Sequence, residues 1–347
     1  MKIRSRALLG VAAMLLAAAT STACASDTDA GQQGTMRVGL SSKSPTMLAL
    51  YAAVQNGYFA EEGVTVPEPT ILPSGAKLAA AIVGGSVDVG IGVMPDVVNL
   101  AETGKPVKLV GAVYPSYYVD IVVGNGITTP PGADLATKIK MLQGKKIGIT
   151  GPGSGTEALV TFLFAQVGLD AAKDAELVSL GSDPSAAINA LRSGQVDALS
   201  HILSVGQQAE KEGIGHIAIS PGRGDVPALT GALHGVAFTL QPTIDNQRAD
   251  LVKFLRALQR GMDFVRQDPK GAREILAQQF SGTPPAVLDG VSSIVSANTA
   301  TSLTVDPHGY DVEARMLSET RLTGTPPALA SILAGDVIQE VAGTPRS

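Results

Sequence analysis

Residues 142–201 narrow the possible folds more than any other part of the chain. A strand pattern at 146–149 runs into Gly151-Pro152-Gly153-Ser154-Gly155-Thr156, then into a helical pattern that reaches Val167 and stops at Gly168. A second strand over 176–180 leads to the turn Gly181-Ser182-Asp183-Pro184-Ser185, a short helix to Arg192, and a third strand over 196–200. Strand, helix, strand, helix, strand in that order calls for a parallel sheet with helices on its faces. In open sheets of this kind ligands sit past the carboxyl ends of the strands. Ser154, Thr156, Asp183 and His201 fall at those ends. The turns also leave backbone N–H groups free at helix starts, which suits an anion or a polar head group.

The residues before this stretch repeat the alternation. A strand over 36–40 ends in Ser41-Ser42-Lys43-Ser44-Pro45, and a helix follows to Asn56, with Gly57 placed to close it. Strands are expected over 64–72, 87–91, 107–113 and 119–123, with helices over 75–83 and 96–102 between them. A Gly-, Pro- and Thr-rich segment at 125–134 marks a boundary, and Pro221-Gly222-Arg223-Gly224-Asp225-Val226-Pro227 marks another. A strand over 235–240 then gives way to helical patterns over 244–266, 269–280, 285–297, 309–322 and 328–341, starting near Pro, Asp, Ser or Thr. The chain therefore leaves its first unit once and returns once. This predicts a two-lobed α/β body with a helical C-terminal part. Residues 36–120 with 235–347 form domain I, and 121–234 form domain II. The strands over 119–123 and 235–240 are the expected hinge crossings, and such bodies close like a jaw.

The 347 residues leave room for two domains, and at 45% hydrophobic and 16% charged the chain can bury a sizeable core. The first 24 residues read as a signal peptide. Lys2, Arg4 and Arg6 precede an apolar run over 7–19 that is too short to span a membrane comfortably. Cys24 is the one cysteine, so no disulfide forms within the chain. Ser21-Thr22-Ala23-Cys24 resembles a bacterial lipobox, with Ser21 in place of the usual leucine, and Cys24 would then carry the lipid. Cleavage after Ala25 is the alternative. Residues 25–35 read as a flexible tether. Loss of the leader removes three basic and no acidic residues from a chain of formal charge −5. An acidic surface argues against nucleic acid as a partner.

Several stretches carry a family resemblance: Asn56-Gly57-Tyr58-Phe59-Ala60-Glu61-Glu62-Gly63-Val64-Thr65-Val66, the run from Gly84 to Gly92, and the run from Leu142 to Thr156. Val167-Gly168-Leu169-Asp170, the run from Ala190 to Leu199, and Gln267-Asp268-Pro269-Lys270 add to them in order. The chain resembles the periplasmic-type solute-binding proteins of ABC importers, in the branch that includes nitrate, sulfonate, taurine and thiamine-pyrimidine-precursor binders. That resemblance implies a two-lobed type II fold, two βα domains joined by two hinge strands with the ligand in the cleft. It implies cleft contacts from Ser42, Lys43, Met94, Tyr114, Tyr117, Ser154, Gly155, Thr156 and His201. It also implies a small polar or anionic ligand, an ABC permease as partner, a monomer, no cofactor, no catalysis, and a place in the periplasm or at the cell surface.

Each candidate has a plainer reading beside it. The glycine turn is not a P-loop, because G-x-x-x-x-G-K-[ST] is absent, and G-x-G-x-G is not the dinucleotide fingerprint. Ser154 or Thr156 can be a plain helix cap. Three of the six tyrosines fall at 114, 117 and 118, where they are either strand packing or a cleft wall with hydroxyls for orientation. Asp183 reads as the cap of the helix that follows it. The four histidines are too scattered for a metal site, and Pro152 breaks the G-x-S-x-G pattern around Ser154. A pyrimidine-precursor synthase related to the same family is the enzyme alternative, but its cysteine-rich motif is missing. A ligand-sensing module feeding a membrane receptor would share the fold.

Overall fold

A computed structural model describes residues 34–343. Cys24, the leader and most of the tether lie outside the described residues.

Ten strands form two sheets of five. The first holds β1 (Val38–Leu40), β2 (Thr70–Ile71), β3 (Val89–Val93), β4 (Val107–Tyr114) and β10 (Gly235–Leu240), in the order β2-β1-β3-β10-β4. The second holds β5 (Val119–Gly124), β6 (Lys146–Ile149), β7 (Glu176–Ser179), β8 (Ala198–Ile202) and β9 (Gly215–Ile219), in the order β7-β6-β8-β5-β9. The orders match position for position. In each sheet three parallel strands come first, and one antiparallel strand is inserted fourth. That strand is the one the chain makes just after arriving from the other sheet: β5 on the way out, β10 on the way back. Both are buried almost throughout, and their Val-, Ile- and Phe-rich runs suit strands covered on both faces.

The crossings lie elsewhere than the sequence reading put them. β5 pairs only with β8 and β9, and β10 only with β3 and β4, so each belongs wholly to one sheet. The chain crosses instead in the loops at 115–118 and 220–234, where Pro115, Pro221 and Pro227 remove ladder donors. The strand expected over 64–72 shrinks to Thr70–Ile71, because Pro67 and Pro69 interrupt it. A short helix at Tyr58–Glu61, not expected from the sequence, lies between the first helix and that strand. The last expected helix splits into Leu329–Ile332 and Gly335–Ala342, with the Ala334 N–H donating to the Leu109 carbonyl (2.9 Å) between them.

Helices bind the sheets into one core. The long helix Gln241–Gln267 packs on Leu48–Gln55 and on Tyr58–Glu61, where Phe59 stacks on Phe254 at 5.2 Å between ring centres. Two C-terminal helices reach the second sheet's own helices: Pro285–Asn298 packs on Leu203–Glu212, and Pro307–Thr320 on Gly155–Gln166. The two sheets are therefore tied together by packed helices as well as by two loops.

Candidate functional site

The carboxyl ends of β1, β3, β6 and β8 meet around one cavity, of about 40 Å³ open to the centre of a water molecule. Four helices start at its wall, and two of these starts are closed. In Met94–Glu102, Asp96 reaches back to accept the Val93 N–H at 2.9 Å, and the Met94 N–H donates to the His234 carbonyl at 3.0 Å. In Leu203–Glu212, the Leu203 N–H donates to the Tyr118 carbonyl at 3.0 Å. The other two starts, Gly75–Val83 from the first sheet and Gly155–Gln166 from the second, are capped only at their third N–H, by Ser74 Oγ on Lys77 (3.4 Å) and by Ser154 Oγ on Glu157, and stay open at the first two N–H groups, which face the cavity wall and have no intrahelical acceptor. Each carries roughly half a positive charge at that end.

Ser154 and Thr156 belong to the second of these starts. Ser154 Oγ accepts the Glu157 N–H (3.3 Å) and bonds Thr156 Oγ1 (2.7 Å), and Thr156 Oγ1 accepts the Thr150 N–H (2.9 Å). Gly155 has a distinct reason for having no side chain: a Cβ there would stand 3.1 Å from His234 Cε1. The His234 ring lies against Gly155 and stacks on Tyr117 at 3.9 Å. Tyr117 donates its hydroxyl to the Gly155 carbonyl at 2.9 Å. His234 Nδ1 pairs with Glu313 Oε1 at 2.8 Å, both side chains fully buried, while Nε2 has no partner and lines the cavity.

His201, the last but one residue of β8, lines the same cavity and is fully buried. Neither ring nitrogen makes a well-formed hydrogen bond. Burial brings its pKa down to about 4, opposed by the Gly181 backbone and the Asp183 carboxylate in looser reach. The ring is therefore neutral at pH 7. Asp96 is the one acid in the wall, and its carboxyl is pushed up by burial, opposed by the Val93 N–H, the Ser41 hydroxyl and His234. Gly75 and Gly92 make room for that carboxylate; a side chain at either position would collide with it. Among the described residues no lysine or arginine lines the cavity.

Of the residues expected from sequence, Ser42, Ser154, Gly155, Thr156 and His201 come together here. Lys43 lies beyond the wall, its ammonium 5.5 Å from the centre of the Phe280 ring. Met94 is fully buried beside the cavity, which Val93 and Asp96 line instead. Tyr114 and Tyr117 line a second cavity behind, and Tyr118 lines both. Tyr118, one of the three clustered tyrosines read as a possible cleft wall, does line it, whereas Asp96 and His234 were missed as wall residues. His234 had one available signal: it sits immediately before the strand on which the chain re-enters the first sheet.

A model of the NMT1/THI5 like family matches residues 44–272, more than half of the chain. The chain belongs to the NMT1/THI5 like family. No curated protein sequence matches it. Among solved structures, a protein from Bordetella bronchiseptica RB50 is similar at 22% identity and a TM-score of 0.75, over 89% of this chain and 97% of that one. The alkanesulfonate-binding protein SsuA from Xanthomonas axonopodis pv. citri, solved with MOPS, is similar at 20% identity and a TM-score of 0.70, over 87% and 99%. The periplasmic nitrate-binding protein NrtA from Synechocystis PCC 6803 is similar at 13% identity and a TM-score of 0.70, over 90% and 89%. This NMT1/THI5 like chain thus shares the periplasmic-binding-protein fold across nearly its whole described length, including both sheets and the helical C-terminal part.

Proposed function

We propose that this protein is the extracytoplasmic solute-binding component of an ABC importer, and that it captures a small polar or anionic nutrient in the cavity between the sheets. One observation carries the reading. Open helix starts from both sheets, and the unpartnered ring nitrogens of His201 and His234, line the same small cavity. Polar groups fully buried without partners are rare in native proteins, and a ligand supplies the missing partners. The sulfonate- and nitrate-binding proteins of the same fold support a compact oxyanion as ligand, and helix starts bind such groups well. An exported chain, anchored through Cys24 or released, would deliver the ligand to a membrane permease.

The halves 36–120 with 235–347, and 121–234, would act as jaws. The helix packing across them means that closure slides packed helices as well as bending two loops. A thermal-shift panel of sulfonates, nitrate, aromatic carboxylates, pyrimidines and flavins tests the reading. A ligand at about 100 times its Kd adds about 2.7 kcal/mol, a rise of roughly 4 °C at this size. The same ligand should compact the protein in solution scattering. A panel without a single hit, or a tight ligand without compaction, overturns respectively the ligand class and the closure.

A further inference from the structure

Behind the cleft lies a second cavity, of about 140 Å³ open to the centre of a water molecule, and it is the roomier of the two. Its walls come from both crossings, Tyr117 and Tyr118 from the outward one and Ser220 and Arg223 from the return, with Tyr114 from the end of β4. The helices Leu203–Glu212 and Pro285–Asn298 close it with Gln207 and Asn298. Its buried ionisable group is Asp120 of β5, which is 4% exposed.

The charges around Asp120 do not balance. Arg223, its side chain half exposed, faces Glu210 at 3.9 Å. Asp225 accepts the Ser220 N–H at 2.9 Å and has Lys138 at 3.8 Å. Each nearby cation thus has a closer carboxylate of its own; Asp120 has the Ser220 hydroxyl and a longer-range attraction to Arg223, and Glu210 and Asp225 oppose that attraction, so two cations face three acids. No ion pair among the described residues includes it. His201, directly across the β5–β8 ladder, is neutral for the reason given above. A buried carboxylate in this position needs either a proton or an outside cation. Three tyrosines line the cavity with Asp120, Tyr117 with one face already covered by His234. Tyr117 has spent its hydroxyl on Gly155, and the Tyr114 and Tyr118 rings meet edge to face at 5.4 Å. Aromatic faces attract cations, and more so away from water.

We propose that this hinge cavity is a second ligand site, for a small organic cation whose ammonium or protonated ring nitrogen pairs with Asp120 and whose body rests on the tyrosines. It is separate from the cleft and does not depend on what the cleft binds. Burial holds the Asp120 carboxyl up at about 7, so a bound cation displaces a proton there, and binding strengthens as pH rises.

The test uses the purified protein and two probes of one shape, benzylammonium and the neutral benzyl alcohol, in calorimetric titrations. Benzylammonium should bind about tenfold more tightly, with affinity rising between about pH 6 and about pH 8. Asp120→Asn should erase the preference for the charged probe, and Asp96→Asn, in the cleft wall, should leave it intact. Should Asp120→Asn fail to fold, Ser116→Phe, placed at the half-buried rim, should block the charged probe in its stead. Equal affinity for the two probes overturns the proposal. So does a preference that survives Asp120→Asn or Ser116→Phe, or one that disappears with Asp96→Asn.

Discussion

The cleft cavity and the hinge cavity share the Tyr118 ring and differ in size, charge and origin. The cleft is walled by strand ends and helix starts, and its fixed dipoles favour negative charge. The hinge cavity is walled by two loops and two helix flanks, and its unmatched group is an acid. The difference follows from topology. Carboxyl ends of parallel strands deliver helix N-termini to one edge of a sheet, whereas a crossing delivers side chains. The cross-strand pair Asp120–His201 shows how sharply the two regions divide: residues directly opposite on one ladder line different cavities.

The two regions also treat buried carboxylates differently, and this gives the largest expected effect. Glu313 stands behind the cleft fully buried and paired with His234. His234→Ala would take the hydrogen-bond partner from fully buried Glu313 and remove the ring stacked on Tyr117, at a cost of about 2–4 kcal/mol. Asp120→Asn removes an acid that has no ion-pair partner, so at neutral pH it should cost little or stabilise. Urea denaturation of both variants makes the comparison. If Asp120→Asn costs as much as His234→Ala, Asp120 is well matched in the folded protein and the contrast between the regions fails.

Acid and imidazole on the same ladder should pull stability in opposite directions with pH. An unfolded aspartate releases its proton near 3.8, but folded Asp120 holds it to about 7. Between those values the folded form binds more protons, so raising the pH removes stability, in total about 4 kcal/mol. An unfolded histidine takes up a proton below 6.5, but folded His201 does so only near 4. Between those values the unfolded form binds more protons, so raising the pH adds stability, about 3 kcal/mol in all. In the native protein the two slopes largely cancel from about pH 4 to about pH 6.5. Asp120→Asn should expose the rising slope and His201→Gln the falling one. Chemical denaturation from pH 4 to pH 8 reads both, and slopes unchanged from the native protein's would show that neither group sits as buried as the structure has it.

Ser154→Ala acts on the cleft alone. It removes the cap on Glu157 and the hydroxyl on Thr156, which costs about 1 kcal/mol of stability. Cleft-ligand affinity should fall about fivefold, the equivalent of one neutral hydrogen bond, and benzylammonium affinity should stay as it was. A parallel loss at both cavities would mean that the shared Tyr118 wall couples them.

The β–α alternation and the glycine turn were legible in the sequence because each rests on local chemistry: apolar period, Gly and Pro punctuation, and Ser or Asp caps. The expected caps at Ser154 and Asp183 are both present, accepting from Glu157 and Ser185. What was not legible depends on pairing between distant segments. Residues 119–123 and 235–240 read as strands, but nothing local says which sheet each joins, so the crossings were placed a few residues off. His234 and Glu313 are 79 residues apart, and only packing brings them together. Asp120 reads as one polar residue in a Val- and Ile-rich strand. Its significance appears only once Arg223 and Lys138 are seen to be matched by other acids.

Lys43 is the smallest expected effect, and it bears on the source of the cleft's positive character. Its ammonium rests over Phe280 at 5.5 Å, outside the cavity wall. Lys43→Ala should therefore cost about 0.5 kcal/mol from the lost cation–ring contact. Affinity at both cavities should stay unchanged in calorimetric titration. With no described lysine or arginine in the wall, an anion bound as proposed would be held by the two helix starts and the histidine rings. That source is fixed backbone, so affinity should fall only weakly with added salt, since buried dipoles are screened less than exposed charges. A tenfold loss of cleft affinity in Lys43→Ala, together with a steep salt dependence, would give the opposite account. The loop after β1 would then swing its lysine inward when the ligand arrives, and the helix starts would be only supporting walls.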